Sequence, residues 1–371
     1  MKLRILVASL AAFGLAFAAS AAQAHVLTVV NMSNDGPENN GDNEVDIAIN
    51  PANPLCNAWS NKKPTAIFVT TSQNGGRTWA SPQLVASAET KAGNLDHPMM
   101  TIDHYKNRAL LAYTGWSGLQ ANSFALVSDS TGTVWSGPYR IAADYKSNAP
   151  DVFDVSLAGA PNGTIYATSG IWQHVNEWNE QAVVVSQMRP GETAFTRSVT
   201  VRDLVPAPIN LPGERWRTSM QASIGVDSSG TVYHLTGDYV TGYLHMYLAK
   251  STDNGASFPT QAQLTSGTRD QVMPWMSVTP GGRVDTIFYD YDEATGLMDA
   301  VYGQVAPGGT TMASTVLQSG IDGNSQPPRG PGRTPFMGDY LGIDSFGSLV
   351  AVAWTGNGPL SQDVWEATLT P

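Results

Sequence analysis

The chain has 371 residues, a formal net charge of -11 and 14% charged residues. This acidic balance argues against nucleic acid and anionic membrane surfaces as partners, because both carry negative charge. Cys56 is the single cysteine, which excludes an internal disulfide framework and a cysteine-based zinc site. With 36 Gly, 10 Trp and 13 Tyr, the composition is typical of a β-rich protein with many turns.

The N-terminal segment has the pattern of a secretory signal. Two basic residues precede an apolar stretch, residues 5–18, that is too short to favour a membrane span, and residues 22–24 form a small-residue cleavage motif. We therefore expect residues 1–24 to be a signal peptide. Residues 25–371 are then an exported domain, secreted or periplasmic, with no membrane insertion.

The loop at residues 34–44 is rich in the side-chain oxygens of Asp, Asn and Glu. Calcium prefers such ligands, but the spacing fits no EF-hand loop, so a calcium site and a solvated loop are the two alternatives. No cofactor and no other metal is expected. The six histidines are scattered without ligand spacing, and ordinary structural roles are expected for them.

Four segments carry a related turn pattern, and each follows a run of strand-forming residues. Residues 72–79 read Ser-x-Asn-x-Gly-x-Thr-Trp, and residues 251–258 read Ser-x-Asp-x-Gly-x-Ser-Phe. Residues 128–135 and 186–195 are less regular copies. In such a segment the Asn or Asp accepts N–H bonds and the Gly supplies a positive φ. The pattern predicts hairpin turns, with the final aromatic residue buried beneath each.

A second repeat alternates with the first. A short strand is followed by Asp-x-x-Gly or a variant and then by a strong β run, as at residues 227–230 and 344–347. Six units can be drawn, beginning near Asn43, Leu95, Ser147, Arg215, Thr268 and Phe336. Repeats of this kind, each with four strands, are typical of propeller blades. The sequence therefore predicts an all-β fold, a six-bladed β-propeller, with Pro- and Gly-rich loops at residues 202–214 and 320–335 on its ligand face.

The turn pattern resembles the Asp-box repeat of the sialidase (neuraminidase) superfamily. At the level of repeats, the resemblance covers nearly the whole chain after residue 24. It implies a sialidase-like propeller whose boxes lie on the face away from the active site. It also implies an exo-glycosidase in which three arginines hold a sugar carboxylate. In that family a tyrosine is the nucleophile, a glutamate activates it, and an aspartate is the acid/base.

The order of residues along the chain, compared with the family, implies which side chains would fill these roles. The implied catalytic residues are Asp96, Glu214 and Tyr340. The implied substrate-binding residues are Arg215, Arg217, Arg269, Arg333 and Asp339. Structural alternatives stay open: Asp96 as a turn cap, Arg215 and Arg217 as braces of a long loop, and Tyr340 as a core aromatic residue.

One departure from the family leaves the function open. No arginine lies between residues 26 and 62, where catalytic sialidases carry the first of their three. The alternatives are an exported glycoside hydrolase and a noncatalytic propeller that recognises a glycan or a protein. We expect a carbohydrate ligand and a monomeric protein. Four tryptophans are either sugar-stacking platforms or packing residues: Trp116, Trp172, Trp178 and Trp216.

Overall fold

The computed structural model describes residues 55–59, 66–71, 78, 80–87, 93–117, 120–145, 151–173, 179–218, 221–325, 335–357 and 362–370. The predicted signal peptide, the loop at residues 34–44, Trp178, Arg333 and most of residues 72–79 lie outside this part of the chain. The described residues form 22 strands and a short 3-10 helix at Gly323–Ser325. Within these ranges, no helix has both the length and the apolar character to span a membrane.

The strands form six antiparallel sheets, in which strands adjacent in sequence pair. The first sheet contains β1 (Leu55–Trp59), β2 (Ala66–Thr71) and β3 (Gln83–Ser87). The second contains β4 (Gly93–Asp103), β5 (Arg108–Ser117), β6 (Gln120–Ser128) and β7 (Trp135–Arg140). The third contains β8 (Asp151–Gly159), β9 (Ile165–Gln173), β10 (Asn179–Met188) and β11 (Thr196–Asp203).

The other three sheets follow in the same order along the chain. The fourth contains β12 (Ala222–Val226), β13 (Val232–Asp238), β14 (His245–Ser251) and β15 (Thr260–Gln263). The fifth contains β16 (Asp270–Val278), β17 (Val284–Asp292), β18 (Leu297–Val305) and β19 (Met312–Ile321). The sixth contains β20 (Gly342–Phe346), β21 (Leu349–Asn357) and β22 (Gln362–Leu369).

Successive sheets pack through their first strands, since β1 contacts β4, β4 contacts β8, β8 contacts β12, β12 contacts β16 and β16 contacts β20. This is the arrangement of a β-propeller, in which the first strand of each blade faces the central axis. The all-β propeller predicted from the sequence is confirmed. Six complete four-stranded blades are not found in the described residues, because the first and sixth sheets have three strands each.

The hairpin turn between β14 and β15 has the predicted geometry. Asp253 Oδ1 accepts the N–H of Ser257 at 3.0 Å, and Gly255 adopts a φ of 75°. Phe258 is buried beneath the turn, with its ring centroid 6.3 Å from that of His234 on β13. The aromatic residue therefore anchors the outer hairpin to the middle of its blade.

The turn between β6 and β7 uses a different acceptor from the one predicted. The pattern placed Ser130 at the acceptor position, whereas Asp129 Oδ1 accepts the N–H groups of Thr131 (3.2 Å), Thr133 (3.1 Å) and Val134 (3.3 Å). A carboxylate accepts more bonds than a hydroxyl group, which explains the exchange of roles. The aromatic residue that ends this turn is only half-buried.

Three innermost strands share an irregularity near their first residues. Their register with the next strand shifts in β4, β8 and β16. The backbone at each shift is left-handed, at His97 (φ 53°), Asp154 (φ 57°) and Met273 (φ 54°). A bulge re-aims the side chains beside it, and bulges are frequent next to functional sites. The repeated bulge therefore marks the end of the axis at which the innermost strands begin.

Glycine is required where innermost strands meet at the other end of the axis. A Cβ at Gly225 of β12 would lie 2.8 Å from the Cβ of Val278 on β16. A Cβ at Gly159 of β8 would lie 2.5 Å from a carboxylate oxygen of Asp103 on β4. At these two points, therefore, the glycine backbone of one strand packs directly against a side chain of the neighbouring strand.

Candidate functional site

The two ends of the propeller axis expose different elements. Because each blade is an antiparallel meander, the turn after its first strand and the turn after its third strand lie at the same end. The loop that leads into the first strand lies at the opposite end. We call this opposite end the loop face, defined by residues 209–218, 221 and 335–341, which precede β12 and β20.

A cavity of about 360 Å³ opens on the loop face. The starts of β4 and β8, the ends of β5 and β9, and the loops before β12 and β20 contribute to its lining. The lining residues are Asp96, His97, Thr114, Trp116, Phe153, Asp154, Trp172, Ile209, Arg217, Thr218, Gln221, Asp339 and Tyr340. This volume lies within the range of small-molecule sites.

Part of the lining is an aromatic wall formed by Trp116, Phe153 and Trp172. Phe153 stacks on Trp172, with ring centroids 4.5 Å apart and 24° between the ring planes. The Trp116 ring lies 5.5 Å from that of Phe153. Because the three rings hold one another in place, the wall is a fixed apolar surface built by two adjacent blades.

An ion pair lies in the part of the lining that comes from the two loops. Asp339 accepts the Nε–H of Arg217 at 2.8 Å and a second bond from a terminal amino group of the same guanidinium. Gln221 also donates to the backbone oxygen of Asp339. The contacts join the loop before β12 to the loop before β20, and a carboxylate neutralises the positive charge of Arg217.

Tyr340, His97 and Asp154 form a contiguous polar group in the lining. The ring centroids of Tyr340 and His97 are 4.3 Å apart, and His97 Nδ1 lies 3.0 Å from Asp154 Oδ1. His97 and Asp154 are both buried. With its proton on Nδ1, the imidazole donates to the carboxylate. The left-handed bulges of β4 and β8 supply the two residues that make this bond.

Asp96, a predicted catalytic residue, lines the cavity and is exposed. Its Oδ1 accepts the N–H of His97 at 3.0 Å. The turn-capping alternative and the position in the cavity are therefore both observed for the same side chain.

Glu214, the second predicted catalytic residue, lies behind the lining. Its Oε2 accepts the N–H of Leu211 (2.8 Å) and the hydroxyl of Thr218 (2.6 Å), and Thr218 lines the cavity. Burial raises the pKa of Glu214 to about 7, and the charges of Asp270 and Glu293 act in the same direction. A carboxyl group with this pKa can accept or release a proton at neutral pH.

Arg269, a predicted substrate-binding residue, is held within the fifth blade. Its Nε lies 2.6 Å from Asp290, and its terminal nitrogens lie 3.5 Å from Asp292 and 3.3 Å from Asp299. It is not among the residues that line the cavity. The structure therefore does not place Arg269 in the cavity, as a substrate-binding role there requires, because three carboxylates of its own sheet hold the guanidinium.

Two further predicted substrate-binding residues are not among the described residues that line the cavity. Arg215 is exposed, and its backbone N–H donates to Asn324 Oδ1 at 2.7 Å, which fits a brace of the loop. Arg333 lies outside the described residues.

Trp216, weighed as a sugar platform, is 1% exposed and packs edge-on against Tyr291, so it is a packing residue.

His97 and Asp154 are lining residues that sequence reasoning missed. It gave His97 an ordinary structural role and did not single out Asp154. The available signal is positional, because each directly precedes the apolar core of the first strand of its repeat unit. In the described part of the chain, no group of three or more His, Cys, Asp or Glu side chains is arranged to hold a metal ion.

No protein-family model and no curated protein matches the sequence. Solved structures with a similar fold include the α-L-arabinofuranosidase of Fusarium graminearum in complex with arabinobiose, at 14% identity and a TM-score of 0.58, covering 91% of this chain and 96% of that one. The α-L-arabinanase of Penicillium chrysogenum complexed with arabinobiose is 15% identical, with a TM-score of 0.51 and coverage of 84% and 88%. A protein of unknown function from Dyadobacter fermentans is 15% identical, with a TM-score of 0.52 and coverage of 84% and 86%. At these identities the likeness concerns the fold alone.

Proposed function

We propose that this chain is an exported, six-bladed, sialidase-like propeller that binds a glycan in the loop-face cavity and hydrolyses a glycosidic bond there. The observation that carries the proposal is the make-up of the cavity, where an aromatic wall, carboxylates, a tyrosine and a histidine line one space of about 360 Å³. A sugar offers apolar C–H faces to aromatic rings and hydroxyl groups to charged side chains. The cavity offers both kinds of surface.

Three elements of the proposal come from the sequence. Asp-box repeats form the outer turns, residues 1–24 direct export, and a sixth blade closes the ring against the first. The turn geometry around Asp253 supports the first element. For the third, the contacts that link first strands from β1 to β20 support six successive units, and closure of the sixth against the first stays part of the proposal.

For hydrolysis we assign Tyr340 as nucleophile, Glu214 as the base that activates it and Asp96 as acid/base. Asp96 and Tyr340 line the same cavity, and Glu214 is separated from it by the hydroxyl group of Thr218. The pKa of Glu214, about 7, suits acceptance of the phenol proton as attack proceeds. In this route the tyrosine oxygen bonds to the anomeric carbon while Asp96 protonates the leaving oxygen, and water then releases the sugar.

We further propose that the glycan is neutral. Arg217 is the one arginine among the described lining residues. The Asp339 carboxylate already accepts two hydrogen bonds from its guanidinium, so these donors are not open to a sugar carboxylate. Asp96 and Asp154 add negative charge to the lining, and like charges repel a sugar carboxylate. A neutral pentose or hexose avoids this repulsion.

Noncatalytic glycan recognition is the second candidate. It is favoured by the structural duties of two assigned residues: Asp96 caps the N–H of His97, and Glu214 is bonded to Leu211 and Thr218. In this case the aromatic wall and the carboxylates bind the sugar, and no bond is broken.

Incubation with fluorogenic methylumbelliferyl glycosides tests both candidates. The panel contains neutral arabinosides and galactosides and one sialoside, with binding measured by calorimetry in parallel. We expect turnover of a neutral glycoside, and Tyr340→Phe should lower kcat by about a hundredfold or more, the scale of loss for one catalytic group. Tyr139→Phe on β7 is the matched control. Binding without turnover would favour the second candidate, and neither binding nor turnover would overturn both.

A further inference from the structure

Glu180 is a buried titratable residue that the mechanism above does not use. It lies at the start of β10, opposite Trp172 of β9. It is 1% exposed, and neither of its carboxyl oxygens has a hydrogen-bond partner among the described residues. A carboxyl group in this environment would lose its hydration without compensation if it ionised, so the uncharged form is favoured.

The Glu180 carboxyl lies directly behind the aromatic wall. A Cβ at Gly170 of β9 would lie 2.3 Å from Glu180 Oε1 and 2.8 Å from Trp172 Nε1. The Glu180 carboxyl and the Trp172 indole nitrogen therefore lie over the same glycine. They occupy the space that a side chain at Gly170 would take. Packing holds Glu180 one layer below the cavity.

Asp154 is the second carboxyl of this group, and it lines the cavity. Burial raises the pKa of Glu180 well above its ordinary value, and the negative charge of Asp154 raises it further. Asp154 differs in having a hydrogen-bond partner, because its Oδ1 lies 3.0 Å from His97 Nδ1. Where two neighbouring carboxyl groups compete for one negative charge, the charge resides on the one that is better hydrogen-bonded.

We propose that Asp154 is the carboxylate that accepts a hydrogen bond from a hydroxyl group of the glycan, and that Glu180 is a buried carboxyl that stays uncharged behind it. The single negative charge of the pair then resides on Asp154. His97 fixes Asp154 through Oδ1, which leaves Oδ2 for the sugar. The inference rests on the proposed glycan-binding role of the cavity, and it requires a sugar with a free hydroxyl group next to the aromatic wall.

Two isosteric substitutions separate the two roles, with neutral methylumbelliferyl glycosides as probes. Asp154→Asn should weaken binding by about tenfold or more, because a hydrogen bond to a charged group is lost. Glu180→Gln should leave kcat and KM within about threefold of the wild type near neutral pH, because an amide has the shape of an uncharged carboxyl. Asp203→Asn on the exposed outer strand β11 is the control. Unchanged affinity in Asp154→Asn would overturn the inference. A loss of affinity in Glu180→Gln as large as that in Asp154→Asn would overturn it as well.

The alkaline side of the pH profile gives a readout that a merely structural role would not change. Among the described residues, Asp154 is the charged group that acts on Glu180, and His97 and Tyr340 lie beyond it. When Glu180 ionises, a second charge appears beside Asp154 and KM should rise. Glu180→Gln cannot ionise, so the part of the alkaline rise in KM that the wild type owes to Glu180 should disappear. Glu192→Gln in an outer turn should keep the wild-type profile, and an unchanged profile for Glu180→Gln would count against the proposal.

Infrared difference spectroscopy tests the proton on Glu180 without any substrate. Near neutral pH, the spectrum of the wild type minus that of Glu180→Gln should show the carbonyl band of a protonated carboxyl group, because any band from Glu214 is common to both proteins and cancels. The wild type minus Glu192→Gln should not show it. Absence of this band from the first difference spectrum would overturn the role of Glu180. If the band is present but the wild type binds no glycan, the proposed function fails and Asp154 loses its role, while the state of Glu180 is confirmed.

Discussion

Asp339 accepts two hydrogen bonds from the guanidinium of Arg217, one of them from Nε–H at 2.8 Å. The bond joins the loop before β12 to the loop before β20. A bidentate fork is the geometry that an arginine would offer to a sugar carboxylate, so a side chain of the protein takes the place of that ligand group. The Arg217 side chain is 55% exposed, so the pair stabilises the fold by at most about 1 kcal/mol. Its main consequence concerns the charge of the ligand.

Removal of the Asp339 charge should change ligand preference more than stability. In Asp339→Asn, Arg217 keeps one acceptor but loses its counter-charge, so affinity for a sialoside should rise by about tenfold while affinity for a neutral glycoside stays similar. Calorimetric titration of both ligands measures this change, with Asp203→Asn as control. A wild-type protein that binds the sialoside more tightly than any neutral glycoside would contradict the assignment.

Burial of Glu214 makes stability depend on pH. The pKa of Glu214 is raised from 4.5 to about 7, which corresponds to about 3 kcal/mol between the two protonation states. Because the folded pKa is the higher one, this contribution is fully present below about pH 4.5 and is lost as pH rises to about 7. Glu214→Gln cannot ionise, so it should be more stable than the wild type at about pH 8. Thermal unfolding across this range measures the effect.

Glu192→Gln is the control for this experiment because its shift has the opposite sign. The Arg197 guanidinium lowers the pKa of Glu192 to about 2, so loss of the charge should not stabilise the protein at alkaline pH. If Glu214→Gln were no more stable than the wild type at alkaline pH, the Glu214 carboxyl would be hydrated. Thr218 would then not separate it from water in the cavity.

The propeller could be predicted because its signals are local. Asp253, Gly255 and Phe258 lie within one turn, and each residue type performs there the role that its chemistry suggests. Asp129 shows the limit of such reasoning. It precedes the predicted acceptor Ser130 by one residue, and carboxylate chemistry decided which of the two takes the turn N–H groups.

The site was harder to predict because its contacts are long-range. His97 and Asp154 are 57 residues apart in the chain, and their bond depends on two left-handed bulges that no residue pattern marks. Asp96 and Tyr340 were predicted from loops before innermost strands, and both line the cavity, although Asp96 lies within β4. Arg269 lies in such a loop as well, but carboxylates of its own blade hold it.

Phe258 should be important for stability and irrelevant to binding. It is 7% exposed beneath the β14–β15 turn, at the opposite end of its blade from the loop face. Phe258→Ala should lower the free energy of unfolding by about 3–5 kcal/mol, as for other buried phenylalanines. Chemical denaturation measures the loss, and Phe346→Ala at a 38% exposed position is the control. Loss of glycan affinity in folded Phe258→Ala would move the turns to the functional face.

Trp172 should contribute to binding through the aromatic wall. Its ring stacks on Phe153 with centroids 4.5 Å apart, so a sugar that packs on the wall meets a surface already fixed in position. Trp172→Ala removes that surface and leaves Phe153 without its stacking partner. We expect affinity for a neutral glycoside to fall by roughly tenfold, the scale of one aromatic contact. Calorimetric titration measures this change.

Two further variants test whether Trp172→Ala weakens binding because it removes part of the aromatic wall. Trp365→Ala, at a 40% exposed position on the outer strand β22, should leave affinity unchanged. Trp172→Phe should recover part of the affinity, because a ring that stacks on Phe153 is restored while the indole N–H is not. Full recovery by Phe would mean that the ring alone acts on the sugar. No recovery would mean that binding depends on the larger area of the indole, which phenylalanine does not match.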